Sequence, residues 1–297
     1  MRPNFLKLLP VLALAAPALA PAQTTSTLDK VKASGQMTLA YRESSIPFSY
    51  LDDKAQPVGF GFEICQKIVD EVKKATGRAD LKVNLQAVTS ANRIPLLQNG
   101  TIDIECGSTT NNSDRGKQVQ FATNYFYTGT KFLVKAGTQV KSLDDLKGKT
   151  IVSTTGTTNF KILRTLNEEK KLGMELLGAK DHAESALMVE MGRAVAFGMD
   201  DILLYGLRAS SQTPAGLAVV GEPIQVEPYA IMVRREDPGF KKLVDDTLAG
   251  LMKSGEFTRL YTKWFQSPIP PKGINLNAPM SQELIDNLKA LSDKPAT

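Results

Sequence analysis

The spacing of apolar residues divides the first part of the chain into alternating strands and helices. A strand is predicted over Gln36–Tyr41, and a helix near residues 62–75 has an apolar stripe formed by Ile64, Cys65, Ile68, Val69 and Val72. Alternation at Leu81, Val83 and Leu85 predicts the next strand, and a short helix follows that ends at Asn99-Gly100. Residues 101–106 alternate again, as a half-buried strand does. This repeated order predicts an α/β fold with a mainly parallel sheet.

The middle of the chain repeats the same pattern. Strands are predicted at residues 131–134, 150–153, 174–177 and 194–199, and helices near residues 159–166 and from Asp181 onward. Two further helices are expected near residues 237–254 and 256–265, before a proline-rich and loosely specified end that begins at Ser267. The length of the chain is sufficient for two modest cores.

The N-terminus has the pattern of a secretory signal. Arg2 and Lys7 precede an apolar run, and the small residues Ala20 and Ala22 follow it, which predicts a leader of residues 1–22 and cleavage after Ala22. No cysteine follows that site, so a lipid anchor has no attachment point there. No later stretch approaches the roughly 18 apolar residues that a membrane helix needs. We therefore expect a soluble, exported protein.

Charge and composition exclude several classes of function. Without the leader, the net charge falls from +5 to about +3, and the lysines are scattered over predicted helices, so no nucleic-acid partner is expected. With one histidine and two cysteines, and no metal-like spacing, we expect no metal site and no cofactor. In an oxidising compartment Cys65 and Cys106 are permitted to form a disulfide, the alternative being two buried thiols.

The segment from Cys106 to Arg115 carries the chemistry that best fits a carboxylate ligand. Ser108 and Thr110 donate through hydroxyls, and the guanidinium of Arg115 offers paired donors. The alternative is a polar turn that only caps a helix.

Other polar residues also follow predicted strands. Arg42, Ser90 and Arg93 do so in the first unit, and Asp200 follows a buried strand in the second. Thr157 and Thr158 begin a helix, where free N–H groups favour an anion, although an ordinary threonine N-cap gives the same pattern. Ligands of parallel sheets bind beyond the carboxyl ends of the strands, so we expect these residues to meet.

Several longer motifs resemble one protein family. The segments RESSIPFSY, TSANRIPLLQNGTIDIECGSTTNNSDR, LKGKTIVSTTGTT, AKDH, GRAVAFGMDD and KWFQSPIPPKG stand in the order and spacing of the periplasmic solute-binding proteins of polar amino acid ABC transporters. The glutamate/aspartate-binding members are the most similar. This resemblance implies a two-lobed type II fold with a two-strand hinge: residues 23–127 and 225–297 form one lobe, and residues 128–224 the other. It also implies a periplasmic monomer that works with a membrane permease.

The resemblance further implies a role for each candidate residue. Those expected at the α-carboxylate of an amino acid are Ser108, Thr110, Arg115, Thr157 and Thr158, and Asp200 is expected at the α-ammonium. Those expected at a side-chain carboxylate are Arg42, Ser90, Arg93 and His182. Three cationic candidates without a matching acid agree with a second carboxylate on the ligand, since an unpaired buried charge is costly.

Alternatives remain for the residues and for the function. Each cationic candidate has a simpler interpretation: Arg42 is a surface arginine, Arg93 pairs with a carboxylate on a helix, and His182 caps its helix. An exported dehydratase-like enzyme has the same scaffold, but no Ser-His-Asp or metal constellation is visible, so we expect no catalytic residues. A receptor sensing domain would need a membrane segment. The choice between glutamate and aspartate stays open.

Overall fold

The computed structural model describes residues 26–296, so the predicted leader and its cleavage site lie outside the described residues. The helices are α1 (Thr27–Ser34), α2 (Phe60–Thr76), α3 (Arg93–Gln98), α4 (Ser113–Gly116), α5 (Thr158–Glu169), α6 (His182–Glu190), α7 (Asp201–Ser210), α8 (Pro238–Ser254), α9 (Glu256–Phe265) and α10 (Gln282–Ala290). The strands are β1 (Gln36–Tyr41), β2 (Ser44–Ser45), β3 (Ser49–Leu51), β4 (Pro57–Val58), β5 (Lys82–Ala87), β6 (Ile104–Glu105), β7 (Val119–Lys135), β8 (Thr150–Thr154), β9 (Glu175–Ala179), β10 (Ala196–Asp200), β11 (Leu217–Val220) and β12 (Val226–Arg234). No helix among residues 26–296 is long and apolar enough to cross a membrane.

Two groups of parallel strands are joined by β7 and β12. The order is β5-β1-β6-β12-β7-β10-β8-β9, and β11 also pairs with β7. In the first group β1 is parallel to β5 and β6, and in the second β8 is parallel to β9 and β10. The long β7 pairs with β12 along its first part and with β10 and β11 along its second. The predicted α/β fold is confirmed, and its two groups of strands are its two lobes.

Strand β7 is longer than the sequence pattern predicted. Only residues 131–134 had the apolar run of a strand, whereas the structure has one strand of 17 residues. Most of its side chains are buried on both faces, so no alternation marks it. Asp103 and Glu105 show the same effect: they alternate with Ile102 and Ile104, yet both carboxylates are fully buried.

The predicted apolar stripe of α2 is buried, in the same core cluster as Met37 and Leu39 of β1. Within this stripe, Cys65 forms a disulfide with Cys106, which confirms the predicted bond and closes a loop with a sequence separation of 41 residues. In the chain-entropy model such a loop contributes roughly 3 to 4 kcal/mol to stability. The bond also fixes Cys106, where the segment that carries Ser108 and Thr110 begins.

The C-terminal residues are more ordered than the sequence suggested. A helix, α10, packs Leu284 and Asn287 inward against the first lobe, and the segment after it pairs with Asn111 and Asn124. The apolar pattern predicted no helix here because part of the inward face is polar: Asn287 is only 3% exposed.

Candidate ligand-binding site

Nine of the ten predicted site residues line one cavity between the two lobes. The free volume of this cavity is about 10 Å³. The lining residues are Ser90, Arg93, Ser108, Thr110, Arg115, Thr157, Thr158, Asn159, His182, Met199, Asp200 and Leu203. Arg42 is the predicted residue that does not line it, and it lies directly behind Ser90 and His182. The carboxyl ends of the parallel strands therefore meet at one polar cavity.

Arg115 and the threonines bring both lobes to one side of the cavity. The Nη1 atom of Arg115 donates to the carbonyl of Thr110 at 2.9 Å, and Nη2 donates to the carbonyl of Gly156 at 3.1 Å. The hydroxyls of Thr110 and Thr158 lie 3.2 Å apart. Burial, together with the nearby positive charge of Arg93, lowers the pKa of Arg115 to about 10. An anion placed here would relieve both costs.

The simpler helix-cap interpretation also holds, for Thr157 itself and for Asn112, which precedes Arg115 by three residues. Asn112 caps α4 by accepting from the backbone N–H of Arg115 at 2.9 Å. Thr157 caps α5 by accepting from the N–H of Phe160 at 3.1 Å. Because caps fix the first turn of a helix, they orient Arg115 and Thr158 toward the cavity.

Two buried arginines lie at the opposite side of the cavity: Arg93 lines it, and Arg42 lies behind it. Arg42 donates through Nη2 to Ser90 at 2.8 Å and to His182 at 3.2 Å. Burial and the charge of Arg93 lower the pKa of Arg42 to about 9. Within residues 26–296, Arg42 Nη1 and Arg93 Nε have no hydrogen-bond partner. Buried unsatisfied donors are rare, and guanidinium N–H groups in this state fit an anionic ligand.

His182 differs from the cation that the sequence led us to expect. A guanidinium only donates, so the Nε2 atom of His182 accepts from Arg42 and the proton resides on Nδ1. That N–H donates to the hydroxyl of Thr154 at 2.9 Å. Burial, and then the charges of Arg42 and Arg93, lower the pKa of His182 well below its usual value. His182 is therefore neutral and orients Arg42.

Asp200 is the acid of the cavity, at the end of β10. Asn159 donates to Oδ1 at 2.7 Å, and the hydroxyl of Tyr229 donates to Oδ2. Burial, and then the nearby Glu227, raise the pKa of Asp200 to about 8. The adjacent Asp201 accepts from Thr128 at 2.6 Å instead, and does not line the cavity.

Sequence reasoning missed the partners of several site residues. Glu105 lies beneath Arg93, with 3.9 Å between Oε1 and Nη1, so Arg93 does face a carboxylate, but one on a strand rather than on a helix. Glu227 accepts from Thr158 at 2.8 Å. Both acids lie on buried strands. The spacing of apolar residues does not indicate that an acidic residue is buried, so nothing in the sequence indicated either contact. Asn159 also lines the cavity. Because it directly follows the candidate Thr158, it is the missed residue that the sequence could have indicated.

Comparison with known proteins identifies the family. Residues 37–267 match the model of the bacterial extracellular solute-binding proteins, family 3. The chain belongs to this family. The L-glutamate/L-aspartate-binding protein of Pseudomonas aeruginosa is 50% identical over 275 residues, 92% of this chain and 91% of the relative. The glutamate/aspartate import solute-binding protein of Escherichia coli K12 is 48% identical over 270 residues, 91% of this chain and 88% of the relative.

Solved structures agree with the fold of this family 3 solute-binding protein. An arginine-binding protein from T. maritima superposes with a TM-score of 0.71 at 25% identity, covering 80% of this chain and 99% of that chain. An ancestral amino acid-binding protein, described as a precursor of cyclohexadienyl dehydratase, has a TM-score of 0.68 at 27% identity, covering 80% of this chain and 99% of that chain. The predicted family and its type II fold are confirmed.

The protonation of Asp200 predicts how binding by this solute-binding protein depends on pH. Below about pH 8 the buried acid carries a proton, which it must lose to accept an ammonium group. Amino acid affinity should therefore rise as pH is raised from 6 to 8, by at most about tenfold per unit, and then level off. Calorimetry in two buffers of different ionisation enthalpy would detect the released proton. Affinity that falls over this range would instead indicate an imidazolium at His182.

Proposed function

We propose that this protein binds L-glutamate or L-aspartate between its two lobes and delivers it to the permease of an ABC transporter. The observation that carries the proposal is the charge pattern of the cavity: Arg93 and Arg115 lie on its surface, Arg42 lies behind, and Asp200 is the only acid among its lining residues. An acidic amino acid has two carboxylates and one ammonium, so it matches this pattern. The names of the relatives above support the same ligand class.

In the proposed complex each end of the ligand has its own contacts. The α-carboxylate meets Arg115 and the hydroxyls of Ser108, Thr110, Thr157 and Thr158, and the α-ammonium meets Asp200. The side-chain carboxylate meets Arg93 and Ser90. Arg42 acts through Ser90, and His182 orients Arg42. A neutral side chain would leave the buried Arg93, whose Nε atom has no hydrogen-bond partner, without an anionic partner from the ligand, which would weaken its binding.

We propose the lobe boundaries suggested by the sequence: residues 23–127 and 225–297 in lobe one, and residues 128–224 in lobe two. Contacts between these segments would then form only on closure. Asp114 pairs with Lys161, and Lys272 donates to the carbonyls of Ser210 at 2.8 Å and Ser211 at 2.9 Å. Closure would hold the ligand and present one face to the permease.

The proposal also covers where the protein acts and whether it is a binding protein or an enzyme. We propose that residues 1–22 are removed on export to the periplasm and that the mature protein acts as a monomer without catalytic activity. An exported dehydratase is the competing function, because one structural neighbour is described as a precursor of such an enzyme. Incubation with candidate acids, followed by product analysis, separates the two functions, and turnover would contradict ours.

Calorimetry with glutamate, aspartate and glutamine tests the proposed ligand. We expect both acidic amino acids to bind more tightly than glutamine. Mass spectrometry of ligand that co-purifies with the protein gives an independent answer. Glutamine binding as tightly as glutamate would refute the acidic specificity.

Gly206 provides a test of closure. It lies in α7, and a Cβ atom added there would lie 2.7 Å from the carbonyl oxygen of Ile46 and 2.9 Å from its Cβ, across the lobe interface. Alanine favours the helix by about 1 kcal/mol, so Gly206→Ala should not destabilise the open form. It should weaken glutamate binding by about 1 to 3 kcal/mol, the usual cost of overpacking. Calorimetry and thermal unfolding of the ligand-free protein measure the two effects.

Gly250 in α8 is the matched control, since a Cβ atom there meets nothing within 4 Å. Gly250→Ala should stabilise the protein to a similar extent and leave glutamate affinity unchanged. If Gly206→Ala also left affinity unchanged, the closed arrangement would not be the ligand-bound one.

A further inference from the structure

The last described residues pair with the loop that carries two cavity residues. The N–H of Ala296 donates to the carbonyl of Asn111 at 2.9 Å, and the N–H of Asn124 donates to the carbonyl of Ser292 at 2.9 Å. Ala296 also forms a parallel bridge with Asn112. The segment 292–296 thus lies along the loop and β7, joined to them by these backbone hydrogen bonds. It lies beyond residues 37–267, the span that the family model matches.

Three buried asparagines hold this segment in place. The Nδ2 atom of Asn111 donates to the carbonyl of Asp293 at 2.7 Å and to Oδ1 of Asn124 at 3.0 Å. Asn124 Nδ2 donates to the carbonyl of Lys294 at 2.8 Å, and Asn287 Nδ2 donates to the carbonyl of Asn124 at 2.7 Å. Each asparagine is at most 3% exposed, so a lost partner would leave a buried polar group unsatisfied.

The same loop determines the position of Thr110 and Arg115. Asn111 directly follows Thr110, and Asn112 caps the turn that carries Arg115. Arg115 returns a hydrogen bond to the carbonyl of Thr110 at 2.9 Å. A shift of residues 111–112 would therefore move both cavity residues together. Ala296 also lines a second cavity of about 360 Å³ with Thr110 and Thr158, beside the ligand cavity.

We propose that the C-terminal segment 292–296 is part of the binding apparatus, and that Asn111 and Asn124 are positioning residues for Thr110 and Arg115. The inference rests on the proposed function, in which those two residues bind the α-carboxylate. Every α-amino acid has that group, so the segment acts on all ligands equally. It does not contribute to the choice between acidic and neutral side chains.

Two variants test the proposal: a chain that ends at Ala290, and Asn124→Ala in the full chain. We expect each to bind glutamate about tenfold more weakly, the effect of one ordering hydrogen bond, with faster dissociation. Aspartate and glutamine affinities should fall by the same factor, so the glutamate-to-glutamine ratio stays constant. Without ligand, amide hydrogen exchange at residues 110–115 should accelerate in both variants.

Asn167 is the matched control. Its side chain also bridges a loop, through two hydrogen bonds to the backbone of Met174 at 2.8 and 2.9 Å, but it lies in the other lobe and does not line the cavity. Asn167→Ala should reduce stability and leave affinity unchanged.

The outcomes separate this proposal from the proposed function. Unchanged affinity and unchanged exchange at residues 110–115 would overturn the positioning role, and so would a changed glutamate-to-glutamine ratio. Failure of the wild-type protein to bind glutamate would refute the proposed ligand instead. The exchange measurement needs no ligand, so it tests the position of the loop in either case.

Discussion

Replacing Arg115 with alanine should weaken the binding free energy of every α-amino acid by about 3 to 5 kcal/mol, enough to abolish detectable binding. The reason is that the buried carboxylate of the ligand loses its charged partner. Arg115 is 8% exposed, so its charge is largely shielded from solvent, and the loss of a charged partner is costly there. Asp200→Asn should have a comparable effect at the ammonium, and it keeps the acceptor that Asn159 uses. Calorimetry with glutamate, aspartate and glutamine should show the same loss for all three.

Two controls accompany these variants. Asp201→Asn changes the neighbouring acid, which accepts from Thr128 and does not line the cavity, so binding should survive. Arg164→Ala removes an exposed arginine from α5 and should also bind normally. If Asp200→Asn bound glutamate as the wild type does, the ammonium contact would have to lie elsewhere.

Arg93 should determine the preference for an acidic side chain over a neutral one. Removing Arg93 alone, however, changes folding stability as well as ligand binding. Glu105 lies 3.9 Å from Arg93 and is fully buried, so Arg93→Met leaves an unpaired buried charge. That change should cost about 3 to 5 kcal/mol of folding stability. The double variant Arg93→Met, Glu105→Gln removes both charges and should recover much of this stability in thermal unfolding.

In the double variant, glutamate binding should weaken by about 1.5 to 3 kcal/mol, as expected for a lost charged hydrogen bond, while glutamine binding should barely change. Glu105→Gln alone keeps the Arg93 cation and serves as the control, so it should continue to prefer glutamate. Calorimetry on the three variants provides the comparison. Wild-type glutamate affinity in the double variant would exclude Arg93 as the side-chain contact.

The sequence predicted much of the fold and the membership of the cavity because both follow from local signals. The apolar stripe of α2 and the polar residues after β1, β6 and β10 indicated the parallel sheet and the edge where its ligand would lie. The charge states were not predictable in this way. The neutral His182 and the protonated Asp200 depend on burial and on Arg42 and Glu227, neighbours that are distant in sequence.

Local sequence signals also fail for helices and strands whose inward-facing residues are polar. Asn287 faces the core from α10, and Asp103 and Glu105 are buried in or beside β6. Apolar periodicity treats each of them as exposed. Asn287 donates to the carbonyl of Asn124, which is 163 residues away in the sequence, so only the folded chain identifies Asn287 as interior.

The position of β12 between β6 and β7 determines when the site is completed as the chain is made. Strands β7 to β11 pair within one continuous stretch, so the second lobe has its partners before β12 has emerged. The first lobe is incomplete until β12 is available, because β12 supplies Met232, which pairs with Glu105, and Tyr229, which pairs with Thr110. Domains fold as their parts become available. We therefore expect the lobe whose residues lead the sequence to mature after the second lobe, and the cavity to form only once β12 is available.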